Sequence, residues 1–159
     1  MQRMRTAAVG LVRASFAVLV AAACGRQTSG GKVVEDGRVW SVRLGASGGF
    51  TGGGSGHVIF ADGTVRAWSQ VVPSDSIATQ DFGKAMPEAV AALRRALEDP
   101  AMRQLRYTAT GNMTGSLDWF DGTTMHHWSW AEKVGRTDLP APLARARNAA
   151  MTAVRTARP

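Results

Sequence analysis

The chain has 159 residues, with one cysteine, 19 Lys+Arg and 12 Asp+Glu. That length suits one domain plus short extensions, and a single cysteine excludes an intrachain disulfide. Arg3, Arg5 and Arg13 lie in the leader, so the remainder keeps 16 cations against 12 acids, too small an excess for a nucleic-acid footprint.

From Met1 to Arg13 the leader is positive and holds no acid, and Ala14–Ala23 is an uncharged apolar run of ten residues. A membrane-spanning helix needs about 20 residues, whereas a short apolar run behind a positive leader has the form of a secretory signal. Ala21, Ala22, Ala23 and then Cys24 follow directly. This order resembles the lipobox of bacterial lipoproteins, with Ala21 where that family usually has Leu. The resemblance implies loss of residues 1–23, lipid attachment at Cys24, and a domain held at the membrane on the periplasmic or extracellular side of the cell envelope. Ordinary signal-peptidase cleavage at the same alanines would instead give a secreted protein. Residues 24–31, CGRQTSGG, read as a flexible tether, and residues 32–159 as a single domain.

Arg38–Leu44 alternates, with Trp40, Val42 and Leu44 on one side, as a half-buried strand requires. Gly56–Ala61 and Thr64–Gln70 flank Asp62-Gly63, which predicts a hairpin. A two-residue turn there puts Val58, Phe60, Val65 and Ala67 on one face, and His57, Ile59, Arg66 and Trp68 on the other. Met86–Glu98 has apolar residues at Met86, Val90, Leu93 and Leu97, the spacing of one helix face; Pro87 opens it and Asp99-Pro100 ends it. Leu105–Thr110 reads as a strand. A second hairpin over Ser116–Phe120 and Thr123–Trp130 turns at Asp121-Gly122, with Leu117, Trp119, Thr124, His126, Trp128 and Trp130 on its core side. Pro142–Ala157 carries Leu143, Ala146, Ala150 and Val154 on one helical stripe, with most of its arginines off it; these read as a solvated face or a contact for anionic lipid. Phe60-Ala-Asp-Gly-Thr up to Trp68-Ser69 echoes Phe120-Asp-Gly-Thr up to Trp128-Ser129, a possible internal duplication. The predicted class is α+β: an antiparallel sheet built from strand-plus-hairpin units, with two helices packed on one face.

Ser47–Gly56, SGGFTGGGSG, has six glycines in ten residues. It lacks the Gly-Lys-Ser/Thr ending of a phosphate loop and leads into a strand. Phe50, at its centre, reads first as a core plug and second as a residue presented to a partner. His126 and His127 are adjacent in a strand and point to opposite faces, so they cannot share one metal; His126 reads as a satisfied core-face histidine. His57 has no identifiable carboxylate partner. No nucleophile-elbow pattern is present, and the paired acids occupy turns and element ends. The reading therefore assigns no catalytic residue, no metal ligand and no cofactor. The tryptophans read mainly as core, with an exposed glycan-binding platform as the alternative; a structural envelope role and, less favoured, a small hydrolase remain.

From Val42 to about Ala157 the chain resembles the emfourin family, small bacterial inhibitors of thermolysin-type metalloproteases. The residues that carry this are Ser47-Gly48-Gly49-Phe50-Thr51-Gly52, the Pro87 helix, the strand pair around Asp121-Gly122, and Leu139-Pro140 before the last helix. The chain departs from the family in its glycine-rich continuation, in the extra stretch Val71–Lys84 and in Trp128-Ser129-Trp130. The resemblance implies a protein partner such as a secreted metalloprotease. The expected binding surface is Gly49, Phe50, Thr51, Gly52 and Ser55, with His57, Arg66 and Trp68 beside them.

Overall fold

A computed structural model describes residues 40–50, 52–72, 76–133 and 138–159. The expected signal and tether, with Cys24, and also Thr51, lie outside these residues. The strands are β1 (Ser41–Gly48), β2 (Gly54–Phe60), β3 (Thr64–Gln70), β4 (Ile77–Lys84), β5 (Met113–Phe120) and β6 (Met125–Ala131). The helices are α1 (Pro87–Glu98), α2 (Pro100–Gln104) and α3 (Ala141–Thr156). All strand pairs are antiparallel, in the order β4-β3-β2-β1-β5-β6, so the architecture is the α+β class expected from the pattern. No helix among the described residues is long and apolar enough to cross a membrane.

Burial on the helix-facing side of the sheet and on two helix stripes builds the main core, and Val58, Phe60 and Trp68 form a smaller buried cluster on the other sheet face. In the main core Val42, Leu44, Ile59, Val65, Leu117, Trp119, Trp128 and Trp130 pack with Leu93 and Leu97 of α1, Met102 of α2, and Leu143, Ala146, Ala150 and Ala153 of α3. Arg145 near the start of α3 pairs with Asp99 at the end of α1, and Arg158 beyond α3 bridges to Lys84 ahead of α1. The two long helices therefore run antiparallel. Alanines on α3 and tryptophans on the sheet fill one core with small and large side chains, as close packing requires.

Helix ends follow local chemistry. Pro87 occupies the first turn of α1, where its missing N–H costs nothing. Asp99 ends α1 and then caps α2, its carboxylate accepting from the Ala101 N–H at 2.8 Å. Met86 caps α1 from outside its apolar stripe and is exposed, which corrects its assignment to the buried face.

Both Asp-Gly pairs lie in turns, but neither turn has two residues. Ala61, Asp62 and Gly63 connect β2 to β3, with Asp62 accepting from the Thr64 N–H at 2.9 Å and Gly63 at φ +86°. This is the three-residue loop that closes with a glycine at positive φ. The register moves by one residue, pairing Ile59 with Val65 and Val58 with Arg66. Because side chains alternate, a one-residue slip exchanges the faces. Ile59, Val65, His57 and Ala67 therefore face the helices, while Val58, Phe60, Arg66 and Trp68 lie on the outer face. At β5–β6 the connection is Asp121–Thr124, a shift of two, so Leu117, Trp119, His126, Trp128 and Trp130 keep the expected core face, while Thr124 lies exposed in the turn, which corrects its assignment. Trp68 and Trp128 consequently face opposite sides of the sheet, and the proposed internal duplication finds no support in their orientation.

Leu105–Thr110 is not a full strand. It meets β6 through one parallel bridge, Thr108 to Ser129, with the Ala109 N–H donating to the Ser129 carbonyl at 3.0 Å.

Candidate functional site

The Ser47–Gly56 segment is a tight connection between β1 and β2. The Gly48 N–H donates to the Gly53 carbonyl at 3.0 Å, closing the hairpin, and the Gly52 N–H donates to the Gly49 carbonyl at 3.2 Å. A third bond, from the Gly49 N–H to the Asn112 carbonyl, ties the turn to the residues leading into β5. Gly48, Gly49 and Gly52 have φ of +106°, +73° and +67°. A side chain at these positions would strain the backbone, so glycine is the residue this turn needs.

Phe50 is displayed at the tip of this turn and is 107% exposed. The core-plug reading of Phe50 is thereby overturned. The cause is geometric: Gly48 and Gly53 already close the strand pair, so the residues between them project beyond the sheet. Met113 and Val72 flank the turn. A methyl group added to Gly49 would stand 3.0 Å from Met113 Sδ, and one added to Gly52 would stand 3.4 Å from Val72 Cγ2. Met113, Val71 and Val72 are all exposed apolar residues, and no charged residue occurs between Ser47 and Gly56. One end of the sheet thus carries the exposed apolar residues Phe50, Met113, Val71 and Val72 around a turn that is itself uncharged.

The remaining expected surface residues do not join it. Ser55 is exposed in β2. His57 turns toward the helix side and packs edge-on against Phe82, with ring centroids 4.7 Å apart. Arg66 lies on the outer face, its Nε donating to Asp81 at 3.1 Å. Trp68 is buried over the outer-face glycines, with the Arg43 guanidinium 3.9 Å from its ring centroid. The register slip in the β2–β3 hairpin separates His57 from Arg66 and Trp68. Met113, Val71 and Val72 escaped the sequence reading because their nearness to Phe50 depends on the β1–β5 register and on the end of β3. The one local signal was an apolar Val-Val pair just before Pro73.

All five tryptophans are buried, with exposures of 1–4%. A glycan platform built on exposed tryptophans is therefore excluded. Four of these rings lie near arginine guanidinium groups: Trp40 with Arg94, Trp68 with Arg43, Trp119 with Arg103 and Trp130 with Arg147. Arg94, Arg103 and Arg147 shield rings of the main core while keeping their charge near water, whereas Arg43 is itself partly buried over Trp68.

Two histidine–aspartate pairs stand on opposite faces of β6. His126 Nε2 is 3.0 Å from Asp121 Oδ2, and its ring stacks on Trp119 with centroids 4.7 Å apart. Asp121 also accepts from the Thr123 and Thr124 N–H groups at 2.8 Å. Hydrogen bonds from Thr124, His126 and Thr123 hold its carboxyl down to about 2, keeping the turn anchor ionised. His127 Nδ1 is 2.5 Å from Asp118 Oδ1. Asp118 is also the cross-strand partner of Arg43, whose pKa burial lowers and whose charge Asp118 favours. Among the described residues no three or more His, Cys, Asp or Glu side chains converge as a metal site.

The hydrogen bond that the protonated His127 ring donates to the Asp118 carboxylate raises the His127 pKa, against a smaller opposing effect of burial. Protonated His127 therefore stabilises the fold. That contribution is complete below the ordinary value of 6.5 and is lost as pH rises through the higher folded value. Burial lowers the His57 pKa, so its contribution is present above 6.5 and is lost as pH falls through the lower folded value. In an NMR titration His127 should titrate above 6.5 and His57 below it. Asp118→Asn should lower the His127 midpoint and leave His57 unchanged. A His127 midpoint unmoved by this substitution would contradict the assigned pairing.

Compared with known proteins, the chain matches no family model and no curated protein sequence.

Proposed function

We propose that this domain is a non-catalytic binding module that engages another protein through the Gly48–Gly54 turn, with Phe50 as its anchor. The observation that carries this reading is the full exposure of Phe50 at the tip of a turn held by three backbone hydrogen bonds. Burying a phenylalanine side chain in a partner contributes about 1.5–3 kcal/mol. A turn that is held before binding also loses less conformational freedom when it docks. Met113, Val71 and Val72 extend the apolar contact, and the lack of charge in the turn favours an apolar pocket on the partner. The emfourin-like SGGF-x-G residues coincide with this turn, which makes a secreted thermolysin-type metalloprotease the first partner to try. Lipid attachment at Cys24 would hold the module at the outer side of a membrane; intact mass should give a chain starting at Cys24 with added acyl mass. A retained Met1 or an unmodified Cys24 would contradict the anchor.

The binding test compares the wild-type domain with Phe50→Ala as bait for the secreted proteins of the source cell. It is followed by protease assays on whatever is retained. Phe50→Ala should weaken capture by at least about 30-fold, the loss of a hot-spot residue, while the unfolding midpoint stays the same because Phe50 is outside the core. Equal capture by both baits would overturn the reading.

A further inference from the structure

The two layers of the domain differ in charge. The helical segments, residues 85–106 and 139–159, hold eight arginines, no lysine and three acids. The described sheet segments, residues 40–72, 76–84 and 107–133, hold four cations against five acids. An excess of five positive charges thus lies on the helical layer, over a sheet that is slightly acidic. Most of these arginines are exposed, Arg94, Arg95, Arg103, Arg106, Arg145 and Arg155 among them.

Helix geometry sets the directions. The buried residues of α1 are Ala89, Val90, Leu93 and Leu97. At about 100° per residue, Arg95 falls opposite that stripe. On α3 the buried stripe of Leu143, Ala146, Ala150, Ala153 and Val154 leaves Arg145 and Arg155 on the solvent side. Because α1 and α3 lie antiparallel on the sheet, Arg95, Arg145 and Arg155 are exposed on the same helical layer, with Arg103 and Arg106 toward α2 and Arg145 paired with Asp99.

From this charge separation we infer that the helical layer is a docking face for an anionic lipid surface, with guanidinium groups seated on headgroup phosphates. Guanidinium carries several N–H donors in a fixed fork and pairs with phosphate oxygens in bidentate fashion, which suits a layer whose cations are all arginine. Glu88 and Glu98 stand among the arginines on α1. A fixed polyphosphate such as duplex DNA would meet these acids at set positions, whereas fluid lipids rearrange their headgroups around them. Docking through the helical layer would leave the Phe50 turn, at the end of the sheet, uncovered. The inference does not depend on Cys24, since the charge resides in the domain itself.

Residues 31–159 contain the whole described core and every described strand and helix. This segment lacks the leader and Cys24, so its vesicle binding cannot come from either. It should sediment with vesicles containing about one-third phosphatidylglycerol and not with pure phosphatidylcholine. Binding should fade as salt rises toward about 0.3 M, where screening shortens the reach of surface charge. The double variant Arg95→Glu/Arg155→Glu should reduce the vesicle partition constant at least about tenfold, while Lys133→Glu, in the sheet segments, should not. If the reversal lowers the unfolding midpoint, Arg95→Gln/Arg155→Gln reads the same face with less repulsion. Equal binding to neutral vesicles, indifference to both double variants, or binding of duplex DNA without vesicle binding would overturn the inference.

Discussion

Replacing Gly56 with alanine should destabilise the domain by about 3 kcal/mol, a large part of the 5–15 kcal/mol that holds a typical domain folded. The added methyl would stand 2.1 Å from the Leu44 carbonyl oxygen and 2.5 Å from the Gly45 Cα. Both atoms are backbone of β1, so no side-chain rotation relieves the clash. Either β2 moves away from β1, weakening the ladder that pairs Leu44 with His57 and Gly45 with Gly56, or the strands twist locally. Trp68 adds to the cost, since its Nε1 would lie 2.8 Å from the same methyl. Gly54→Ala is the control. Its methyl would come no closer than 3.0 Å to Ala46 O and Ser47 Cβ, so a smaller loss is expected. Urea unfolding followed by tryptophan fluorescence checks the order. Equal midpoints for the two variants would contradict the close approach at Gly56.

Trp128→Ala should cost about 3–5 kcal/mol, the range for removing a large buried aromatic. Trp128 is 2% exposed and packs in the core between the sheet and the helices. Its ring stacks near His126, with centroids 6.0 Å apart, and its indole N–H donates to the Leu105 carbonyl at 3.1 Å. That bond ties β6 to the segment that follows α2. Trp128→Phe separates the two effects. It keeps much of the apolar volume but leaves the Leu105 carbonyl without this donor, for a loss of about 1–3 kcal/mol. Equilibrium unfolding of both variants gives the comparison. A Trp128→Ala protein within about 1 kcal/mol of wild type would contradict the assigned core, because it would fall far below the expected cavity cost.

Much of this architecture was readable from local chemistry. The stripe Val90, Leu93, Leu97 and its counterpart Leu143, Ala146, Ala150, Val154 define the buried faces of α1 and α3, and Pro87 and Asp99-Pro100 mark their boundaries. Both turns were located correctly, but turn length was not. Asp62 and Asp121 each hold a longer connection through side-chain bonds to following N–H groups, and neither dipeptide reveals that. A shift of one residue changed faces at Trp68, while a shift of two left Trp128 in place. Strand β4 escaped notice for another reason. As an edge strand with mostly exposed residues, it has no alternating apolar pattern to read. Phe50 shows the same limit at the candidate site. An aromatic residue suggests burial by composition, and only the bond between Gly48 and Gly53 places it beyond the sheet. Met113 and Val72 come from distant parts of the sequence and reach the flanks of its turn, at Gly49 and Gly52, through sheet register alone.

The proposed function makes Phe50 the contact point for another protein. Its most direct test replaces Phe50 with photoreactive benzoylphenylalanine in the source cell, with the same substitution at Met125 as a control. Met125 is 54% exposed but starts β6 at the opposite end of the sheet. Irradiation should yield a discrete covalent adduct with a second protein from position 50 and none from position 125. Absence of an adduct at 50, or the same adduct from both positions, would contradict the claim.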